Sequence, residues 1–173
     1  MRLSEARSPT EVRGRAIRRV WLAAAAALIL LFALQGLRRI ALESDLRAYA
    51  YEDLLGQIHL HDGWMARRFL AGDAPYAGTG RNLAVNLLFA PVARLSPDYP
   101  QEAKRLNLAV SCAALGALLF FARRRFGEAA SLVAGLLFVL SGVVVFEAAR
   151  SAAEPLLMLC VVLAWGLAGE GRW

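Results

Sequence analysis

A chain of 173 residues that is 58% hydrophobic and 20% charged cannot give a soluble domain of this length a polar exterior. Its apolar residues form runs of about eighteen, the length that crosses roughly 30 Å of hydrocarbon. The net charge of +6 does not indicate nucleic-acid binding, because six of the twenty basic residues lie in the first nineteen residues, just before an apolar run, and no nucleic-acid-binding module is recognisable. We therefore predict an all-α integral membrane protein with about four transmembrane helices.

The N-terminal part of the sequence predicts a basic cytoplasmic tail, 1–19, and a first transmembrane helix, 20–37. The apolar run contains one clearly polar residue, Gln35. A cleaved signal peptide does not fit, because the run is too long and Arg38-Arg39 offers no small-residue cleavage site.

The segment 38–105 is mixed in charge, with nine basic and eight acidic residues. We predict an extracytoplasmic loop with short interfacial helices. Connectors of this length are usually functional, so any chemistry is expected here.

The C-terminal part contains three further apolar runs, and the sequence predicts transmembrane helices at 106–122, 129–146 and 152–169. Arg123-Arg124-Arg125 stops the second run on the cytoplasmic side, and Phe126-Gly127 makes the next turn. The distribution of basic residues predicts that both termini are cytoplasmic and that the long loop is outside. The expected location is a bacterial inner membrane.

Two stretches resemble the start of polytopic glycosyltransferases of the GT-C class. The first is Asp62-Gly-Trp-Met-Ala-Arg-Arg-Phe-Leu-Ala-Gly-Asp-Ala-Pro-Tyr76. The second comprises Ala122-Arg-Arg-Arg-Phe-Gly127 and, after an apolar helix, Arg150-Ser-Ala-Ala-Glu-Pro-Leu-Leu157. They are most similar to the N-terminal portion of protein O-mannosyltransferases and aminoarabinose transferases.

The match has departures. Many relatives have a second acid where this chain has Gly63, and their downstream Lys-Pro-Pro-Leu element is replaced here by Asn82-Leu-Ala-Val-Asn86. The resemblance implies transfer of a sugar from a polyprenyl-phosphate-linked donor to an acceptor at the extracytoplasmic membrane face. The alternative is a non-catalytic truncated relative or a small membrane scaffold subunit.

The resemblance implies that Asp62 is the carboxylate base of this transfer. Asp45 is the alternative, because the acid of many relatives lies nearer the first helix. The downstream pattern favours Asp62, and the distance from the first helix favours Asp45. Glu52 and Asp53 fit a solvated helix face better than a site.

Substrate contacts are expected from three arginines of the loop, from Tyr76 in the same loop and from Glu154. Arg81, Arg67 and Arg68 could hold the donor phosphate, although interfacial arginines also reach toward lipid headgroups without any substrate. Tyr76 belongs to the resembling motif. Glu154 opens the fourth predicted helix, where an ionisable group indicates a cavity-facing structural or substrate-positioning role; an exposed acid at a helix start is the alternative.

His59 and His61 precede Asp62 and raise the question of a metal site. Side chains at positions i and i+2 do not share a helix face, and no further ligands are recognisable, so polar loop residues are the better interpretation. No cofactor is indicated, and a divalent metal is an open alternative. The expected partners are the polyprenyl-phosphate sugar and membrane lipid, with no nucleic acid; the sequence leaves the oligomeric state open.

Overall fold

The computed structural model describes residues 9–45, 99–149 and 154–169, and every regular element in these ranges is an α-helix. The helices are α1 (Pro9–Asp45), α2 (Tyr99–Phe126), α3 (Glu128–Leu140), α4 (Gly142–Ala148) and α5 (Glu154–Ala168). The predicted all-α class is confirmed for these ranges.

Two helices contain a stretch that is long and apolar enough to cross a membrane, Ala16–Leu42 and Gln101–Phe126. The bent pair α3 and α4 is a third candidate if it forms one span. Helix α5 is apolar but has only 15 residues. The structure therefore has two or three candidate spans, compatible with a membrane protein.

The helices continue past the predicted membrane segments on the side of the long loop. Residues 38–45 belong to α1 and 99–105 to α2, although their charges suggested a loop. Arg, Leu, Ala and Glu are all good helix formers, and 38–45 contains neither Gly nor Pro, so charge alone does not end the helix. The 37 residues of α1 span about 55 Å, well beyond the thickness of a hydrocarbon core.

Helices α1 and α2 are antiparallel. Arg123, near the end of α2, lies over the ring of Trp21 in the first half of α1. Leu108, near the start of α2, packs against Gly36, where any Cβ would collide with it. The absence of a side chain at Gly36 therefore permits the close approach of the two helices.

Helix α3 runs in the same direction as α1. Its first turn contacts Trp21 through Ser131, and further along Phe138 meets Phe32 edge to face, with ring centroids 5.3 Å apart. Such edge-to-face pairs are favourable beyond the area that they bury. Helix α3 is consequently antiparallel to α2.

Helix α5 returns alongside α2. Gly166 packs directly against the ring of Phe121, and the indole of Trp165 stacks on Phe126 with centroids 6.2 Å apart. The bundle thus has two ends. We call the end with Trp21, Arg123 and Trp165 the arginine end, and the opposite end, where α1 stops and α2 begins, the loop end.

The core lies where α1, α2 and α3 meet. Its largest fully buried apolar side chains are Phe32, Leu115, Leu119 and Val139. In the most apolar stretch of α2, 44% of the residues are buried, whereas in the most apolar stretch of α1 only 22% are buried. Helix α2 is therefore the central helix. The exposed apolar side chains of α1, α3 and α5 would be costly in water but are ordinary in lipid.

The third apolar run is divided by a sharp bend. Helices α3 and α4 meet at Ser141 with an angle of 67°, whereas the apolar pattern predicts one segment over 129–146. Ser141 has extended backbone angles, and its Oγ accepts a hydrogen bond from the backbone N–H of Val144 at 3.4 Å. An N-cap serine followed by Gly142 gives the chain a second helix start inside the apolar run.

The turn predicted at Phe126-Gly127 is present between α2 and α3. Gly127 has φ 89°, a value that residues with a side chain rarely adopt. Its N–H donates to the carbonyl of Arg123 at 3.0 Å, and its own carbonyl accepts from the N–H of Ser131 at 3.2 Å. Glycine at this position lets α2 end and α3 begin within one residue.

Candidate functional site

The loop end is the first candidate site, because it contains both ends of the segment 46–98. Helix α1 ends there at Asp45 and α2 begins there at Tyr99. Seven candidate residues from the sequence lie within that segment and outside the described residues: His59, His61, Asp62, Arg67, Arg68, Tyr76 and Arg81. Their predicted roles remain predictions.

Two candidate residues lie at the boundaries of described helices. Asp45 is the last residue of α1, and Glu154 is the first residue of α5. Glu154 is exposed, and Pro155 after it is buried. Proline is well tolerated in a first helical turn because its missing N–H would have no partner within the helix.

A cation and an aromatic ring meet at the loop end. The guanidinium of Arg39 lies 4.5 Å from the ring centroid of Phe146 in α4. Arg39 and Glu147 both have further interaction partners. On α2, Glu102 and Arg105 form an exposed ion pair one turn apart. The loop end therefore carries charges of both signs next to the chain segment that holds the predicted site.

The arginine end contains a polar network that connects three helices. The indole N–H of Trp21, a residue only 8% exposed, donates to Oγ of Ser131 at 2.7 Å, and that hydroxyl donates to the carbonyl of Glu128 at 2.9 Å. Arg123 lies 4.2 Å above the Trp21 ring and donates to Oε1 of Glu128 at 2.5 Å. Every polar group of this network that we describe has a partner, which favours a structural role over a catalytic one.

A second arginine fastens α5 to the same end. The Arg125 guanidinium donates to the carbonyls of Trp165 at 2.6 Å and Gly166 at 3.3 Å, and it lies 4.5 Å from the Trp165 ring centroid. The last carbonyls of a helix have no partner within it and carry its negative dipole end. Arg125 supplies both a donor and a positive charge at that point.

Two polar residues lie inside the bundle on one face of α2. Asn107 and Ser111, one helical turn apart, have no exposed surface. The Ser111 hydroxyl makes no hydrogen bond that the structure records among the parts of the chain it describes. Small polar side chains at this depth favour close packing between helices, and we assign them no chemistry.

Within residues 9–45, 99–149 and 154–169, no group of three or more His, Cys, Asp or Glu side chains is arranged to hold a metal ion. The His59 and His61 alternative lies outside these ranges. Cys112 and Cys160 are free thiols on α2 and α5.

The fold and these contacts define an all-helical bundle, in the described residues, with two or three candidate membrane-spanning helices. Comparisons of the chain with protein-family models, with curated proteins and with solved structures give no match.

The network of Trp21, Ser131, Arg123 and Glu128 is not among the sites predicted from the sequence. The sequence contains two signals for it: a tryptophan two residues after an arginine pair and a serine inside an apolar run. Tryptophan and arginine are typical of membrane interfaces, where the ring is in the apolar layer and the charge is in the polar layer. The pairing across 110 positions of sequence, however, depends on the fold.

Proposed function

We propose that this chain is a membrane glycosyltransferase, or the N-terminal part of one. It transfers a sugar from a polyprenyl-phosphate-linked donor to an acceptor at the extracytoplasmic membrane face. The observation that carries the proposal is the position of the segment 46–98, which contains the Asp62-to-Tyr76 motif and is anchored at both ends at the loop end of the bundle. The resemblance to GT-C enzymes supplies the reaction class.

The proposal includes four membrane crossings. Helices α1, α2, the pair α3–α4 and α5 alternate in direction, as four crossings require. Fifteen residues of α5 span about 22 Å, so a full crossing needs a few residues beyond Glu154 or Ala168. The arginine end is then cytoplasmic, as the excess of basic residues favours, and the loop end is extracytoplasmic in a bacterial inner membrane.

The proposed chemistry needs a base and a cation at the loop end. A carboxylate, Asp62 or in the alternative Asp45, accepts the proton of the acceptor hydroxyl or amine while the acceptor heteroatom bonds to the anomeric carbon. The bond from that carbon to the phosphate oxygen breaks, and polyprenyl phosphate leaves with the electron pair. Arginines such as Arg81 stabilise the negative charge on the departing phosphate.

The test is sugar transfer by the longest natural chain, reconstituted in vesicles with a polyprenyl-phosphate sugar. Removing a general base lowers a rate by about a hundredfold to ten-thousandfold, so Asp62→Asn should reduce transfer to that extent. Asp73→Asn, which neutralises another acid of the same motif, is the matched control. Loss only with Asp45→Asn overturns the choice of Asp62. Unchanged transfer in both Asp62→Asn and Asp45→Asn favours the non-catalytic alternative.

Sidedness is tested separately. In a background with Cys112 and Cys160 replaced by alanine, His61→Cys or Tyr76→Cys should react with a membrane-impermeant maleimide from the extracytoplasmic side. Reaction only from the cytosol would contradict the proposal, because a carboxylate there could not meet an outward-facing sugar carrier.

A further inference from the structure

The described part of the arginine end carries an excess of arginine side chains. Five arginines of the described chain lie there within about one helical turn of the contact between Trp21 and Arg123: Arg18, Arg19, Arg123, Arg124 and Arg125. The one acidic side chain described at this end is Glu128, which pairs with Arg123. The described side chains of this end therefore have a strong excess of positive charge.

The five arginines have different roles. Arg123 is held between the Trp21 ring and Glu128, and Arg125 is held by the carbonyls of α5. Arg18, Arg19 and Arg124 are exposed. They present their charge at the surface of the bundle.

Exposed aromatic rings accompany this surface charge. Phe120 is 50% exposed and lies beneath the Arg124 guanidinium, at 5.5 Å from it, while Phe126 is 65% exposed. A soluble anion would gain nothing from these rings. A phospholipid would use both features, because its phosphate meets the guanidinium groups and its acyl chains cover the rings.

The loop end offers a contrast in charge. Its described basic side chains, Arg38, Arg39, Lys104 and Arg105, are nearly matched by Glu102, Glu147 and Glu154. From this asymmetry we infer that the arginine end binds anionic phospholipid selectively, with Arg18 and Arg124 contacting the headgroup phosphate and Phe120 and Phe126 lying against its chains. The inference is independent of the proposed transferase activity.

The experiment uses the chain's own tryptophans as reporters. Trp64→Phe and Trp173→Phe leave Trp21 and Trp165, both at the arginine end. The protein is reconstituted in mixed vesicles of phosphatidylglycerol and phosphatidylcholine, with either lipid brominated at the same mole fraction. Brominated phosphatidylglycerol should quench the fluorescence more strongly, because each surface arginine can enrich anionic lipid by up to about fivefold. Screening should reduce the preference in high salt.

Matched variants locate the effect. Arg18→Gln with Arg124→Gln should bring the quenching ratio of the two lipids close to one. Arg38→Gln with Arg105→Gln removes the same charge at the loop end and should leave the ratio unchanged. Equal quenching by both lipids in the parent protein, no response to salt, or an equal loss in both double variants would overturn the inference. The parent and salt measurements need no substitution among the arginines, so misfolding of a variant does not affect them.

Discussion

The two ends of the bundle differ in what their charged side chains do. At the arginine end, Arg123 and Arg125 each bind groups on other helices, so their charges hold the bundle together. At the loop end, Glu102 pairs with Arg105 on its own helix, Arg39 lies over the ring of Phe146 in α4, and Glu154 is exposed. We infer that charged hydrogen bonds hold the helices together more firmly at the arginine end than the contact of Arg39 with Phe146 does at the loop end.

The largest expected effect tests the close approach of α5 and α2. A Cβ at position 166 would overlap the Phe121 ring, which packs between the helices and cannot move aside easily. We expect Gly166→Ala to lower the free energy of unfolding by about 2 kcal/mol, as overpacking does elsewhere. Unfolding in detergent, followed by tryptophan fluorescence, measures it.

Gly116→Ala is the control for that substitution, because a Cβ there would meet only Ile29, at 4.0 Å. It should change the free energy of unfolding by less than about 0.5 kcal/mol. Equal stability of the two variants would mean that α5 does not pack on α2 at Gly166.

The next effect tests the fastening of α5 by Arg125. Arg125→Gln removes charged hydrogen bonds to the last carbonyls of the helix, with an expected loss of about 1.5 kcal/mol in the same unfolding assay. Arg124→Gln removes a neighbouring exposed arginine and should cost less than about 0.5 kcal/mol in detergent free of anionic lipid. If Arg124→Gln were the more destabilising of the two, the assigned roles would be reversed.

A smaller effect tests the network of the arginine end. A double-mutant cycle of Trp21→Phe and Ser131→Ala isolates the indole-to-hydroxyl bond, and we expect a coupling free energy of about 0.6 to 1 kcal/mol. Trp165→Phe combined with Ser131→Ala is the comparison cycle, since Ser131 is on α3 and Trp165 contacts Arg125 and Phe126. Coupling as large in the comparison cycle would refute a specific bond.

The all-helical class and the turn at Gly127 could be predicted from the sequence, because both depend on local features. Runs of apolar residues indicate helices in lipid, and a glycine between Phe126 and Glu128 indicates a turn. The helices reach Asp45 and begin at Tyr99, inside the predicted loop 38–105, because charged residues do not by themselves end a helix. Charge marks the membrane surface instead, and the helix continues through it.

The bend at Ser141 has a local signal in the sequence, the Ser-Gly pair inside an apolar run. No local signal identifies the partners of Trp21 and Arg125, because Ser131 and helix α5 are far from them in sequence. The candidate site residues differ from these contacts, because most of them lie outside the described residues. Glu154 is described and exposed, whereas Asp62 and the other six loop candidates lie outside the described residues and rest on the sequence alone.

The smallest expected effect tests the contact between α1 and α4 at the loop end. A cation over a ring contributes about 0.5 to 1 kcal/mol, so a double-mutant cycle of Arg39→Gln and Phe146→Leu should show coupling of that size in the unfolding assay. The control cycle combines Arg38→Gln, at the exposed neighbour of Arg39, with Phe146→Leu and should show coupling close to zero. Coupling above that found for Trp21 and Ser131 would mean that the loop end is held as firmly as the arginine end, and the contrast between the two ends would no longer stand.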